Sequence, residues 1–185
     1  DYFIRMSASW KQDYPNIKHY YIHQIWPGAC GSRSVEGDRL RERQRQLPKQ
    51  FSNMSVLSTL GIRPGGGCHF LAEGYAAMAR QLVPLVNQYN YGVEPKTSIT
   101  PPNIRSVSYL GDRKDEIKLV FDQDVKWDEE IIERFYLDDD SAELTAVGGS
   151  GKTITLKLAG PTAAKNLSYV RGGKWRQDQS IIWGA

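Results

Sequence analysis

The stretch Gly65-Gly66-Gly67-Cys68-His69-Phe70-Leu71-Ala72-Glu73-Gly74-Tyr75-Ala76-Ala77 decides how the chain is read. Three consecutive glycines allow backbone conformations, positive φ included, that are closed to other residues. The residues after them read as the first turn of a helix. His69 is therefore expected at the mouth of a helix, on a flexible loop that succeeds a strand. α/β enzymes often place a general base there. The alternative that these residues alone leave open is a histidine capping a tight loop.

Working outward, the spacing predicts a helix from His69 to about Asn87, with Leu71, Tyr75, Met78, Leu82, Leu85 and Val86 as its apolar stripe and a bend at Pro84. Upstream, Met54 to Leu60 reads as a strand. Asp38 is the expected N-cap of a helix that runs to about Leu47 and stops near Pro48. Lys18 to Trp26, rich in Tyr and Ile, reads as another strand, and Phe3 to Gln12 as a helix ended by Asp13-Tyr14-Pro15-Asn16. The order helix, strand, helix, strand, helix is that of an α/β layer fold with a parallel sheet. A doubly wound sheet has about five strands, so residues 1–92 are expected to be the C-terminal piece of a larger domain.

Val93 to Pro102 contains Pro95, Pro101 and Pro102 and reads as a linker over residues 93–102. Beyond it, Ile104–Leu110, Glu116–Phe121, Phe135–Asp138, Ala142–Val147, Thr153–Ala159, Asn166–Val170 and Ser180–Trp183 are short segments bounded by turn residues. Their number and spacing predict an all-β antiparallel sandwich, Ig-like, over residues 103–185. The chain stops at Ile181-Ile182-Trp183-Gly184-Ala185 without a polar tail, so its C-terminus is expected to be truncated too.

Bulk properties narrow the function classes. The net charge is +3, from 24 basic and 21 acidic residues. Nucleic-acid binding needs a concentrated basic stripe. Arg39, Arg41, Arg43 and Arg45 alternate around a predicted helix beside Glu36, Asp38 and Glu42, which reads as a solvated surface. No run approaches the ~20 apolar residues of a membrane helix. The chain has two cysteines, Cys30 and Cys68, each in a Gly-rich loop after a predicted strand. A disulfide between them is the preferred reading and implies an oxidising compartment, secreted, periplasmic or at the cell surface. Two unpaired buried thiols are the alternative.

Several motifs carry less than their composition promises. Ala146-Val147-Gly148-Gly149-Ser150-Gly151-Lys152-Thr153 matches a loose phosphate-binding loop, but that motif needs a helix after its glycines. Here Thr153 to Leu158 alternates with period two, so a hairpin tip is expected. Asp138-Asp139-Asp140 lacks the spacing of a calcium loop and reads as a turn. His19 and His23 share a strand face, yet two histidines without a third ligand make no metal site. They are expected to be ordinary packed or edge residues, and no metal or cofactor is expected. Gln24 points to the face opposite His23, near the strand end where α/β folds bind ligands. Trp26 ends the same strand beside Cys30.

Taken together, Trp10-Lys11-Gln12-Asp13-Tyr14-Pro15, Gln24-Ile25-Trp26-Pro27-Gly28-Ala29-Cys30, Leu40-Arg41-Glu42-Arg43-Gln44-Arg45-Gln46-Leu47, and Gly67-Cys68-His69-Phe70 with Gly74-Tyr75 resemble the C-terminal half of an SGNH/GDSL-superfamily hydrolase. The nearest group is that of the sialate O-acetylesterase-like carbohydrate esterases. The resemblance spans residues 1 to about 92. Phe121-Asp122-Gln123-Asp124-Val125 and Phe135-Tyr136-Leu137 are similar to the β-domain that comes after the hydrolase in some of these proteins. It implies a flavodoxin-like three-layer fold and serine-based deacylation. His69 falls on the family's catalytic histidine, which would take the serine proton and return it to the leaving alkoxide. Gln24 and Trp26 would meet the substrate, an O-acetylated carbohydrate.

The sequence departs from that pattern in three ways. The Gly-Asp-Ser nucleophile block is absent, the oxyanion-hole blocks are absent, and Gly66 stands where the orienting acid three residues before the histidine is expected. An active enzyme would then need the N-terminal half of the hydrolase, from the same precursor or a second chain. The alternative is a non-catalytic glycan-binding or assembly protein on a degenerate hydrolase scaffold.

Overall fold

The structure is a computed structural model that describes residues 2–28, 30–63, 65, 66, 68–138 and 143–185. Its first half is built on a two-stranded parallel sheet, β1 (Tyr20–His23) beside β2 (Met54–Leu57), in register Tyr20↔Met54 to His23↔Leu57. Helix α2 (Val35–Gln50) is the crossover between them. Helix α1 (Tyr2–Asp13) lays Phe3 against Tyr20 and Phe51, with ring centroids 5.5 and 5.0 Å apart, and Trp10 on the same Tyr20 at 6.0 Å. These aromatic contacts fasten a helix that buries no residue fully.

Two helix starts differ from the sequence expectation. α2 begins at Val35, because the Ser34 hydroxyl accepts a hydrogen bond from Gly37 N at 3.1 Å and so caps the helix four residues before Asp38. It also runs through Pro48 to Gln50; a proline in the final turn forgoes one N–H with little left of the helix to break. Helix α3 (Ala72–Tyr91) starts three residues after His69. Before it, β3 (Gly65–Gly66) pairs antiparallel with β4 (His69–Phe70). His69 therefore belongs to a small hairpin, and the chain is not free to coil before Ala72. α3 ends at Gly92, whose φ of 71° needs no Cβ to be accommodated.

Residues 93–102 form neither helix nor strand. The second half centres on a four-stranded antiparallel sheet in the order β5 (Ile104–Tyr109), β6 (Glu116–Phe121), β10 (Thr153–Leu158), β9 (Leu144–Ser150). Two further antiparallel pairs flank it, β7 (Val125–Lys126) with β12 (Trp183–Gly184), and β8 (Phe135–Leu137) with β11 (Leu167–Tyr169). A 3-10 turn over Glu129–Arg134 leads into β8. Alternation along β6 and β10 sends Ile117, Leu119 and Phe121, and Ile154, Leu156 and Leu158, to one face, where Ile131, Phe135 and Leu137 cover them. Each such side chain contributes about 1.5–3 kcal/mol of transfer free energy. Thr153–Leu158 is a strand paired with β9, as its period indicates; Gly148, Gly149 and Ser150 close β9, and Gly151-Lys152 make the hairpin turn. Of the acidic run, Asp139 and Asp140 lie outside the described residues, as do Ser141 and Ala142. Asp138 accepts from the Lys165 and Asn166 backbone N–H groups, at 3.1 and 2.9 Å, and from Asn166 Nδ2 at 3.0 Å.

The two halves are not independent. Val170, Trp175 and Ile181 form a second buried cluster with Leu60, on the loop after β2. Gly61, at φ 73°, lies so close under Trp183 that a Cβ there would stand 2.6 Å from the indole. Arg41, expected on a solvated surface, is instead buried and paired with Asp38, whose carboxylate also accepts Gly172 N at 2.9 Å.

Candidate functional site

The site-bearing residues converge on an open recess of about 360 Å³ at the C-terminal end of β1, lined by His23, Gln24, Ile25, Trp26, Cys30, Thr59, Cys68, His69, Phe70, Tyr75 and Met78. Four segments meet there. The chain leaving β1 supplies His23 to Trp26 and Cys30, the loop after β2 supplies Thr59, the β3–β4 hairpin supplies Cys68 to Phe70, and α3 supplies Tyr75 and Met78, one turn apart. A disulfide joins Cys30 to Cys68, with Cα atoms 4.8 Å apart across a sequence separation of 38. It fastens the Trp26 loop directly to the residue before His69. All five positions singled out from the sequence, His69, Gln24, Trp26, Cys30 and Cys68, thus border one recess.

Each wall has a local cause. Trp26 lies on Gly28, where an added Cβ would meet the indole at 2.6 Å, and its carbonyl accepts from Ser32 Oγ at 2.8 Å. Its ring centroid is 5.3 Å from that of Phe70, and Phe70 in turn meets Tyr75 edge-on at 6.2 Å. Phe70 is buried while His69, its strand neighbour, is exposed, as alternation across a strand requires. His69 therefore presents its imidazole at the rim, and Phe70 anchors the hairpin.

Gln24 does not simply oppose His23. β1 ends at His23, so the chain turns out of its pleat and both residues reach the recess wall. Gln24 is half-buried and well held. Its N–H donates to Leu57 O, its Nε2 to Arg41 O at 2.8 Å, and its own carbonyl accepts from Thr59 Oγ1 at 2.9 Å.

Two polar atoms stand out. His23 Nε2 and Trp26 Nε1 are buried and have no hydrogen-bond partner among the described residues. Burial lowers the pKa of His23, partly offset by the Met78 carbonyl, so the ring is held neutral. Unpaired buried polar groups are uncommon and call for an explanation. Sequence reasoning takes His23 for an ordinary strand residue, and Tyr75 and Met78 for core. All three line the recess, and a period-of-four stripe cannot by itself say whether it faces a core or a cavity. His19, by contrast, is packed as expected: its Nε2 is 2.9 Å from Ser55 Oγ, and Tyr89 stacks on its ring at 3.8 Å.

Among the described residues, those lining the recess include no serine and no carboxylate. Thr59 supplies a hydroxyl, but that hydroxyl already donates to Gln24 O. Among the described residues no three His, Cys, Asp or Glu side chains gather as a metal ion would require. No helix among them is long and apolar enough to cross a membrane. What the recess offers is one accessible imidazole and an aromatic wall, with two unpaired ring nitrogens buried in the residues that line it.

No protein-family model matches the chain, and no curated protein matches it in sequence. Among solved structures it is similar to that of XAC1771, a carbohydrate acetylesterase from Xanthomonas citri, with a TM-score of 0.68 at 13% identity. The match covers 98% of this chain but 42% of that structure, so the chain spans less than half the length of the protein it resembles. At this identity the likeness is one of fold: a distant, esterase-like arrangement of helices and sheets.

Proposed function

We propose that this chain is the histidine-bearing part of a serine carbohydrate esterase that removes O-acetyl groups from glycans. The observation that carries the reading is the convergence of His69, Trp26, Gln24 and the Cys30–Cys68 bridge on one recess, in a chain whose fold matches part of a carbohydrate acetylesterase. In this reading residues 1–92 belong to a flavodoxin-like SGNH layer fold, 93–102 are a linker, and 103–185 form an Ig-like sandwich. The nucleophilic serine and the oxyanion donors come from a segment outside this sequence.

His69 acts there as general base toward the serine hydroxyl and then as general acid toward the departing sugar alkoxide. The ester carbon gains the serine oxygen, the sugar oxygen leaves with the proton, and water reverses the sequence on the acyl-enzyme. Trp26, Phe70 and Tyr75 give the sugar apolar faces, while Gln24 holds the wall. The disulfide favours an oxidising compartment.

The absence of a carboxylate from the recess lining favours a second reading, a glycan-binding protein without turnover. Labelling of the intact polypeptide or complex by a fluorophosphonate, with hydrolysis of aryl acetates, separates the two. The esterase reading expects both, and expects His69→Ala to abolish them. Binding of O-acetylated oligosaccharide without labelling or hydrolysis would leave the binder.

A further inference from the structure

Gln177 lies far in sequence from every residue of the recess, yet its amide is wedged against the recess wall. Its Oε1 accepts from Trp175 Nε1 at 2.7 Å, and its Nε2 donates to the Thr59 carbonyl at 2.6 Å. An indole N–H can only donate and a carbonyl can only accept, so one amide orientation satisfies both. Trp175 is itself 2% exposed, which fixes the donor. Thr59 passes the constraint on, because its hydroxyl donates to Gln24 O and both residues line the recess.

Beyond Thr59 the chain runs through Arg63 toward the hairpin that bears His69. Arg63 is bound to the same C-terminal segment, donating from Nη2 to Asp178 O at 2.5 Å and from Nε to Gln177 O at 3.3 Å. Both ends of the 59–63 loop are thus pinned by residues 177 and 178. Among the natural side chains of this length, only glutamine supplies a donor and an acceptor side by side.

We infer that Gln177 is a positioning residue for the recess: through Thr59 it sets the place of Gln24 and of the loop leading to His69, making the C-terminal segment part of the site. The inference rests on the recess being the functional site proposed above. Gln177→Glu keeps the length of the side chain but sets a carboxylate oxygen against the Thr59 carbonyl. Misplacement of a site by even 1 Å can lower turnover by about 100-fold.

The test compares the full chain with its Gln177→Glu variant by NMR, tracking the His69 imidazole and Trp26 indole signals, and titrates each with an O-acetylated oligosaccharide. Ile154→Val, in the β-sheet core, serves as a variant that lowers stability without touching the recess. The expected result is that Gln177→Glu shifts both ring signals and weakens binding about tenfold, while Ile154→Val moves neither. Unchanged ring signals in Gln177→Glu, or equal shifts in both variants, overturn the inference. If Gln177→Glu does not fold, Trp175→Phe removes the orienting N–H and is read in the same way. If the unaltered chain binds no such ligand, the proposed function fails, and the ring signals still decide the role of Gln177.

Discussion

His19 Nε2 and Ser55 Oγ lie 2.9 Å apart across the parallel sheet, in a pocket closed by the stacked ring of Tyr89. Tyr21 flanks the imidazole at 4.9 Å, and Lys18, the nearest cation on the same segment, reaches away to Asn90 O. Burial holds the pKa of His19 below its ordinary 6.5, as it does for His23. The unfolded chain then binds more protons than the folded one once the pH falls below about 6.5. Stability is therefore complete above that value and declines through it, levelling off only below the folded-state pKa values. The midpoint of thermal unfolding is expected to drop between pH 7.5 and 5.5, and His19→Gln to flatten that slope. A midpoint independent of pH over this range contradicts the burial of both rings.

The Cys30–Cys68 bridge closes a loop that contains α2 and β2 and ends beside His69. Removing it frees the unfolded chain by roughly 2–4 kcal/mol. Urea unfolding of Cys30→Ser/Cys68→Ser should show a loss of that order, and the His69 ring signal should broaden as its hairpin loses an anchor. Non-reducing mass analysis of the unaltered protein checks the premise: two alkylatable thiols contradict it.

Elements whose reasons are local could be read from the chain. Glu116–Phe121 and Thr153–Leu158 alternate because one sheet face is buried, and period two records that directly. Where the reason is distant, reading failed. Asp38 has the chemistry of an N-cap, but its carboxylate is engaged by Arg41 and by Gly172 N, 134 residues away, while Ser34 caps the helix. Arg41 belongs to a basic run that reads as solvated, yet it is buried, with Gly172 of that same segment against its guanidinium. The recess shows both sides. The glycine run and Cys68 announced a special loop, whereas His23, Tyr75 and Met78 carry no signal that distinguishes a cavity wall from a core.

Gly74 sits in the first turns of α3 with its Cα pressed against Phe70; an added Cβ would stand 2.8 Å from Phe70 Cβ. Alanine in a helix gains about 1 kcal/mol over glycine, but overpacking against a rigid neighbour costs about 1–3 kcal/mol. Phe70 Cβ belongs to the strand and cannot swing away. Gly74→Ala is expected to destabilise by about 1 kcal/mol, read by urea denaturation, and to displace the Phe70 wall of the recess. Gly173→Ala, where a Cβ meets nothing within 4 Å, should change stability little.

Leu119 is fully buried in the β-sheet core, whereas Val107, on edge strand β5, is 45% exposed. Leu119→Ala should lose about 2–5 kcal/mol by transfer and cavity formation. Val107→Ala should stay within about 0.5 kcal/mol. Equal effects at the two sites, measured by the same denaturation, contradict the assignment of the buried face.

Trp26 carries a test in which stability and binding separate. Its buried Nε1 has no partner among the described residues, and an unsatisfied donor of this kind costs about 1–3 kcal/mol. Trp26→Phe removes that donor and keeps an aromatic ring near Gly28 and Phe70, while losing the apolar contacts of the larger indole. The two effects oppose each other, so the unfolding free energy should change by less than about 1 kcal/mol. Binding responds differently, since the indole that borders the recess is replaced by a smaller ring with less apolar face for a sugar. Affinity for an O-acetylated oligosaccharide should fall roughly tenfold, which corresponds to about 1.4 kcal/mol. A variant that binds as tightly as the unaltered chain removes Trp26 from ligand recognition. One that unfolds far more easily shows that the indole was held by packing instead.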